Sequence, residues 1–545
     1  MKSMKIVWVA FGQEQYGISI LSAVLREAGH ESALVFDPAL FHDRYYFDVP
    51  VLRDIFNRDA EVVEEIVREK PDLIAFSVLT VTYQWCLDIA RQARARLGVP
   101  VVFGGVHPSA VPEVCLENEC VDYVCVGEGE EALLRLCDAL ATGATRPSQP
   151  IPNLWWRETP DPGAPIVRGP AAPFLQDLDA LPMPDKALWE GYVRIQDSYL
   201  IMTARGCPYR CTFCFNNFYA KIPKRGGAPG GGGKYVRQRS IERVLEELVT
   251  MKRRYRYRRV QIEDDIFTLD KKWIRAFLDR YAQEVAVPFR CLVHPRYMDR
   301  DLARWLKDAG CDQIQMGIQS ADEEYKRKQL LRMERDSHLE SSLAAMKEAG
   351  LTMKLDHIFG LPGEPPESQE KARDLFARIA PARINTFWLS YLPGLDLTKE
   401  AHRAGLLSEE QLGRIDRGTT SFFHHGDRWN DDGRTLRFYQ RYDVLFRLMP
   451  LLPDGIRHRL RPEHVPDVPG GVARGVGFAA DLVNSLLRGD EEMTTYARHY
   501  AWHLAKATPG ILRSVARRRT PPRGAGPRVP RAPSAHPSAA EARVA

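Results

Sequence analysis

Two stretches of this chain repeat one pattern, a short apolar run that leads into an amphipathic helix, and that repetition constrains the fold more than any other feature. From Lys5 to about Ala141 the apolar runs are IVWVAF, SALVF, LIAFSVL, VVFGG and DYVCVG, with helical segments such as ISILSAVLREAG, VVEEIVREK and CLDIARQARARLG between them. Strands of this kind, each followed by a helix, predict a parallel sheet covered on both faces, a Rossmann-like unit. A second α/β run starts at Tyr199 and continues to about Pro393, with YLIMTA, RVQIED, FRCLVH, QIQMGI, MKLDHIFG and INTFWLSY as its strands. Such repeats predict a partial barrel, whose chemistry gathers at the carboxyl ends of the strands.

The rest of the 545 residues divides around these two units. We expect an N-terminal domain over 1–145, an irregular Pro-rich linker over 146–195, the barrel over 196–395, a helical region over 396–510 and a disordered basic tail over 511–545. That tail is rich in Arg, Pro, Ala and Ser and carries most of the net charge of +5, so the charge is a weak sign of an acidic partner. The basic run Lys252–Arg259 lies between a helix pattern and a strand and reads as a solvated helix end, so no nucleic-acid partner is expected. No apolar run approaches the roughly 20 residues of a bilayer span, so no transmembrane segment is expected. The first residues run straight into a strand pattern without a signal-peptide layout, and a cytoplasmic location is expected. The ten cysteines read as reduced thiols, and Cys115, Cys120 and Cys125 as buried, inert ones.

Cys207, Cys211 and Cys214 differ. They crowd into Arg205-Gly206-Cys207-Pro208-Tyr209-Arg210-Cys211-Thr212-Phe213-Cys214. Three thiolates this close can hold three corners of an iron–sulfur cube and leave the fourth iron open to a substrate. A structural zinc site would need a fourth protein ligand, and no second paired cluster of Cys or His lies nearby.

The Cys-x3-Cys-x2-Cys spacing, with the aromatic Phe213 before the last cysteine, resembles the radical S-adenosylmethionine (SAM) enzymes. In that family the open iron of a 4Fe–4S cluster chelates SAM, and an electron from the cluster cleaves it to a 5′-deoxyadenosyl radical. The resemblance implies SAM contacts from Glu263, Asp264 and Asp265 after the second barrel strand, and from Gly317-Ile318-Gln319-Ser320, where the family has Gly-Ile-Glu-Ser. It also implies Arg335 for the SAM carboxylate and Gly360-Leu361-Pro362 beside the adenine. His294, Arg296, His357 and Tyr391 lie at barrel strand ends and are expected to face a small-molecule substrate. An external electron donor such as flavodoxin or ferredoxin is implied as a partner.

In the first unit the strand ends carry Ser77-Val78-Leu79, Gly104-Gly105-Val106-His107 and Gly127-Glu128-Gly129, none of which forms a GxGxxG opening a helix. Upstream of the cysteine motif, they resemble the cobalamin-binding domain of cobalamin-dependent radical SAM enzymes. That implies corrinoid contacts from Ser77, Leu79, Gly104, Gly105, His107, Gly127, Glu128 and Gly129. The Asp-x-His-x-x-Gly loop that supplies a cobalt-binding histidine in methionine-synthase-like domains is absent, and His30 and His42 do not fit it. The glycine-rich segment 226–233 reads as a flexible loop that could close over substrate. The expected activity is methyl transfer to an unactivated carbon, or phosphorus, of a small-molecule or natural-product intermediate, in keeping with secondary metabolism. A non-methylating cyclase or rearrangement enzyme, and a non-catalytic cobalamin-binding redox or sensory module, are the alternatives.

Overall fold

The strands β1 (Lys5–Phe11), β2 (Glu31–Asp37), β3 (Leu73–Ser77), β4 (Val101–Gly104), β5 (Tyr123–Cys125), β6 (Leu154–Arg157) and β7 (Ile166–Arg168) make one sheet, in the order β2-β1-β3-β4-β5-β6-β7. This computed structural model describes residues 2–42, 49–161, 163–228, 232–420 and 433–519. Strands β1 to β5 are parallel, and the order reverses between β1 and β3, where sheets of this type open a ligand crevice at the carboxyl edge. Along β1 the alternation sends Ile6, Trp8 and Ala10 to a core shared with Ile18 and Leu133, and Val7, Val9 and Phe11 to one shared with Val62 and Tyr83. Burial on both faces explains why this strand reads as a continuous apolar run.

The expected linker is partly sheet. Leu154–Arg157 pairs antiparallel with β5, and Ile166–Arg168 pairs antiparallel with β6. Proline punctuates the segment, but Leu154-Trp155-Trp156 satisfies the backbone groups that β5 would otherwise leave bare at the edge.

The second sheet is all parallel and runs β15-β14-β13-β12-β11-β8, built from β8 (Tyr199–Ile201), β11 (Val260–Ile262), β12 (Phe289–Val293), β13 (Cys311–Gln319), β14 (Thr352–Phe359) and β15 (Arg383–Trp388). A separate ladder joins β9 (Ala204–Arg205) to β10 (Arg237–Gln238). Helices start where the sequence supplies caps: Ser240, Asp270 and Asp299 accept from backbone N–H groups of the helices they precede.

Alternation along β14 sorts its side chains. His357 and Phe359 pack on Phe446 of the helix Gly433–Leu448, whereas Asp356 faces the barrel interior and accepts hydrogen bonds from Gln315 (2.8 Å) and Asn385 (2.9 Å) on the neighbouring strands. At the amino-terminal half of the barrel the buried Lys354 and Arg383 and the largely covered Arg290 converge on Glu492 at the start of the helix Glu491–Arg519. The helical region thus closes the end of the barrel opposite the cysteines. Its last helix continues through Arg519, past the expected start of the tail at 511; residues 520–545 lie outside the described residues, as do 229–231 of the glycine-rich loop. Among the described residues no helix is long and apolar enough to cross a membrane.

Candidate active site

The cysteine loop leaves the barrel through β9. Its pairing with β10 pins both ends of the excursion. Gly206 adopts φ +90°, and a Cβ there would stand 2.4 Å from the Tyr235 carbonyl oxygen, so only glycine lets the chain enter Cys207 at this point. Cys211 is buried, and Cys207 and Cys214 are half-buried. Thr212 stitches the loop to the barrel rim: its N–H donates to Leu330 O (3.2 Å), its hydroxyl to Gln329 O (2.8 Å), and its carbonyl accepts from Leu397 N–H (2.9 Å). Phe213 packs against the cluster of Tyr325, Leu330 and Leu361, and so supports the loop.

Burial pushes the Cys207 thiol up to about 12 and the Cys211 thiol up to about 11, while the Arg332 guanidinium opposes the rise at Cys211. Arg332 itself is buried and donates to Gly317 O (2.9 Å) and to Glu334 (2.7 Å). Burial alone would raise Glu334, but His294, Arg332 and Lys326 together draw it down to about 2. The expected Arg335 is exposed at the start of the helix Asp336–Glu348. Three residues away, Arg332 brings its charge to the cysteines. Among the described residues no three His, Cys, Asp or Glu side chains are gathered tightly enough to share a single metal ion. Cys211 and Cys214 lie near enough to Cys207 for their charges to raise it, a proximity that would suit three ligands on separate irons of one cluster.

The three consecutive carboxylates point three ways. Glu263 faces the barrel interior, where Gln261 (2.5 Å) and Arg290 (2.9 Å) meet it. Asp264 is buried and accepts from Thr203 N–H (2.6 Å), the Thr203 hydroxyl and Ala204 N–H (3.1 Å), so it braces the start of the cysteine loop rather than facing a ligand. Asp265 reaches the helix that follows the cysteines, accepting from Asn216 Nδ2 at 2.6 Å; Asn216 in turn accepts from the Tyr235 hydroxyl at 2.6 Å.

At the end of β13, Gln319 takes a left-handed φ of +67° at a break in strand register, and its side chain folds back over Gly317, where a Cβ would stand 2.3 Å from Gln319 Nε2. Ser320 is fully buried and bonded to Glu364, so its hydroxyl turns inward and not to a ligand. Glu364 also accepts from Gln369 Nε2 (3.0 Å), whose Oε1 lies 2.9 Å from His357 Nε2. Because Gln369 donates to Glu364, its oxygen must accept from His357, which fixes the proton on Nε2. His357 is therefore a neutral structural residue of the outer barrel layer, its pKa lowered by burial to about 4. Beside it, Gly360 makes the turn with φ +77°, Leu361 joins the Phe213 cluster, and the Pro362 carbonyl accepts from the Tyr325 hydroxyl (2.8 Å).

Burial pushes Glu364 up to about 8 from 4.5. Between these values the folded protein keeps a proton that the unfolded chain releases, so this group's contribution to stability is full below 4.5 and is lost as pH rises through about 8. Denaturant midpoints of wild type and Glu364→Gln are expected to converge between pH 5 and pH 8.5, because the amide does not titrate; a constant gap would show that Glu364 is ionised throughout.

Two other expected substrate residues are also structural. His294 stacks on Tyr209 of the cysteine loop (4.3 Å between centroids, 14° between planes) and accepts from Arg296 N–H, so it supports the loop from beneath; Arg296 is exposed. Tyr391 is buried in an apolar cluster with Ala401, Leu407 and Ile415.

At the carboxyl edge of the first sheet, Ser77, Leu79 and Gly104 are half-buried, and a Cβ on Gly12 after β1 would meet only Ala39, at 3.8 Å. Small and half-covered residues along one edge fit a broad, flat ligand. Gly105 has a different reason to be glycine: a Cβ there would lie 2.8 Å from Val78 N, so two loops pack backbone to backbone. His107 is fully buried against Tyr83 (4.1 Å between centroids) with Nδ1 3.2 Å from the Thr80 hydroxyl, and burial lowers its pKa to about 3. It underpins the loop instead of reaching a ligand. Gly127 N–H donates to the Ser109 hydroxyl (3.0 Å), Gly129 packs on Cys125 and Leu21, and Glu128 pairs with Arg205 and Arg237.

The two regions meet directly. The Tyr219 hydroxyl, on the helix Phe215–Tyr219 that follows Cys214, donates to Ser109 (3.1 Å), and Ile222 lies against Gly127. Thus the segment leaving the cysteines lies on the carboxyl edge of the first sheet. Sequence reasoning missed Arg332, Glu334, Asn216, Tyr235 and Arg205. Of these only Arg205, immediately before Gly206-Cys207, carried a signal by position.

The B12 binding domain family matches residues 8–136, and the radical SAM superfamily matches residues 201–376. This chain is a radical SAM enzyme with a B12-binding domain. The enzyme is 28% identical over 335 residues to an uncharacterized methyltransferase of Pyrococcus horikoshii, covering 59% of this chain and 66% of that one. It is 24% identical over 447 residues to the cytidylyl-2-hydroxyethylphosphonate methyltransferase of Streptomyces wedmorensis, covering 72% of this chain and 79% of that one. Its fold is similar to that of the radical SAM methyltransferase TsrM from Kitasatospora setae, solved with cobalamin and a 4Fe–4S cluster bound, with a TM-score of 0.62 and 18% identity over 91% of this chain and 99% of that one.

Proposed function

We propose that the enzyme is a cobalamin-dependent methyltransferase acting on an unactivated carbon, or phosphorus, of a small-molecule intermediate. The observation that carries this reading is the contact of the cysteine-loop helix with the carboxyl edge of the B12-binding sheet, through Tyr219, Ser109 and Gly127. On this reading the two cofactor regions lie side by side at that contact. The Pyrococcus and Streptomyces relatives are both named as methyltransferases, which supports methyl transfer.

In this reading Cys207, Cys211 and Cys214 hold the 4Fe–4S cluster. Arg332 takes the role expected of Arg335 and receives the SAM carboxylate, and Asp265, oriented by Asn216 and Tyr235, receives its ammonium group. Gln319 and the Gly360–Pro362 turn line the SAM ribose and adenine. Ser77, Leu79 and Gly104 border the corrinoid. Gln315, Asp356 and Asn385 present polar groups to the substrate inside the barrel. When bound, the cluster supplies an electron for SAM cleavage and the corrinoid carries the methyl group; the protein aligns them and excludes water.

The test is anaerobic reconstitution with iron, sulfide and cobalamin, addition of SAM and a reductant, and mass-spectrometric detection of 5′-deoxyadenosine and S-adenosylhomocysteine. Both products are expected. Formation of 5′-deoxyadenosine alone, with a candidate substrate turned over at unchanged carbon count, would instead favour a cyclase or rearrangement enzyme.

A further inference from the structure

A half-buried ion-pair junction joins the segment after β5 to the chain just before the cysteine loop. Arg205 Nη1 donates to Glu128 at 3.1 Å, and its Nη2 donates to Glu130 at 2.6 Å. Glu128 also accepts from Arg237 Nη1 (2.9 Å) and from Leu175 N–H (2.8 Å). Arg205 and Arg237 face each other in the β9–β10 ladder, so two guanidinium groups stand side by side with Glu128 between them. The side chains are poorly exposed, at 23% for Arg205, 16% for Glu128, 14% for Glu130 and 4% for Arg237. Like charges opposed in a ladder repel, and a carboxylate shared between them turns that repulsion into attraction.

The junction has a specific place. Glu128 lies in the loop that leaves β5 at the carboxyl edge of the first sheet, Glu130 opens the helix Glu130–Ala141 that follows, and only Gly206 separates Arg205 from Cys207. With Gly206 wedged on Tyr235, a displacement of Arg205 passes directly to the first cysteine. We propose that Arg205 is a positioning residue that sets the separation between the iron–sulfur cluster and the corrinoid, through its two carboxylate partners on the B12-binding domain. This rests on the proposed function in taking both cofactors to be bound. A clamp of charge-assisted hydrogen bonds from one planar guanidinium to two carboxylates resists rotation, which a single ammonium cannot do. Electron and group transfer between two centres require such a fixed geometry.

The experiment compares wild type, Arg205→Ala, Arg205→Lys and Glu130→Gln, each reconstituted with iron, sulfide and hydroxocobalamin and reduced with dithionite. Iron and corrinoid are counted, and the spin relaxation of cob(II)alamin is measured, since a reduced cluster nearby accelerates it according to their separation. All variants are expected to keep iron and corrinoid, while Arg205→Ala and Glu130→Gln lose relaxation enhancement and show a spread of rates in place of one. Partial recovery in Arg205→Lys would support the clamp. Unchanged enhancement in Arg205→Ala and Glu130→Gln with both cofactors bound overturns the inference, even if their unfolding midpoints fall, because a merely stabilising ion pair would leave the separation alone. A wild type that shows neither a cluster nor a corrinoid signal overturns the proposed function, and the inference with it.

Discussion

Cys211→Ala is expected to lower bound iron from about four atoms per chain to near zero and to reduce 5′-deoxyadenosine formation to background. The two remaining thiols, Cys207 and Cys214, can hold only two corners of a cube, and the wild-type set already leaves one corner open. Cys211 is the most buried of the three and lies where Arg332 acts electrostatically on it. Its neighbours keep the loop in place without it: Thr212 is bonded to Gln329, Leu330 and Leu397, and Phe213 sits in its apolar cluster. The loss should therefore be chemical rather than a collapse of the fold. Iron and sulfide analysis with electron-spin resonance measures the cluster, and corrinoid uptake measures the integrity of the first domain. Retained corrinoid with lost iron is the expected pairing; SAM cleavage at the wild-type rate would exclude Cys211 as a cluster ligand.

Glu492→Gln is expected to destabilise the protein by about 3–5 kcal/mol, since removing one partner leaves buried charge uncompensated. Arg290 reaches Glu492 at 2.5 Å, Arg383 at 3.3 Å, and Lys354 is bonded to the same oxygen as Arg290. Asp490 shares Arg383 (3.0 Å), accepts from Gln313 (2.7 Å) and acts on Arg290 at longer range. Burial alone would raise the Glu492 carboxyl, and the charges of Arg290, Lys354 and Arg383 hold it well below the usual range. A depressed carboxylate stabilises the fold above its unfolded pKa, and that contribution disappears as pH falls through the folded value. Urea midpoints at pH 7 should fall sharply in the variant, and the difference from wild type should shrink towards acid pH. A shift below about 1 kcal/mol at pH 7, the size of an exposed pair, would mean that solvent already screens the cluster.

How far the site was legible varied residue by residue. The cysteine triplet could be singled out without tertiary information, because local spacing sets it apart from the other seven cysteines. His357 was misplaced, although Leu355 and Phe359 on either side share its face and mark the layer that packs on helices, while Lys354, Asp356 and Ile358 mark the interior. Alternation alone could have assigned it. Glu263, Asp264 and Asp265 could not be assigned this way, since the strand ends at Ile262 and the turn after it abandons period two. Arg332 and Arg335 are both plausible by spacing, and the choice between them depends on a loop in which Leu331 takes φ +51°.

Sequence by itself determined the two α/β units with their parallel strands and singled out the three thiols, because each rests on short-range periodicity or on adjacent residues. Only the tertiary structure decided that Pro-rich residues after 146 extend the first sheet, that Glu492 closes a barrel more than a hundred residues upstream, and that Glu128 meets Arg205 instead of a ligand. These are contacts between distant segments, selected by the need to pair buried backbone and buried charge, and no local pattern records which partner will be found.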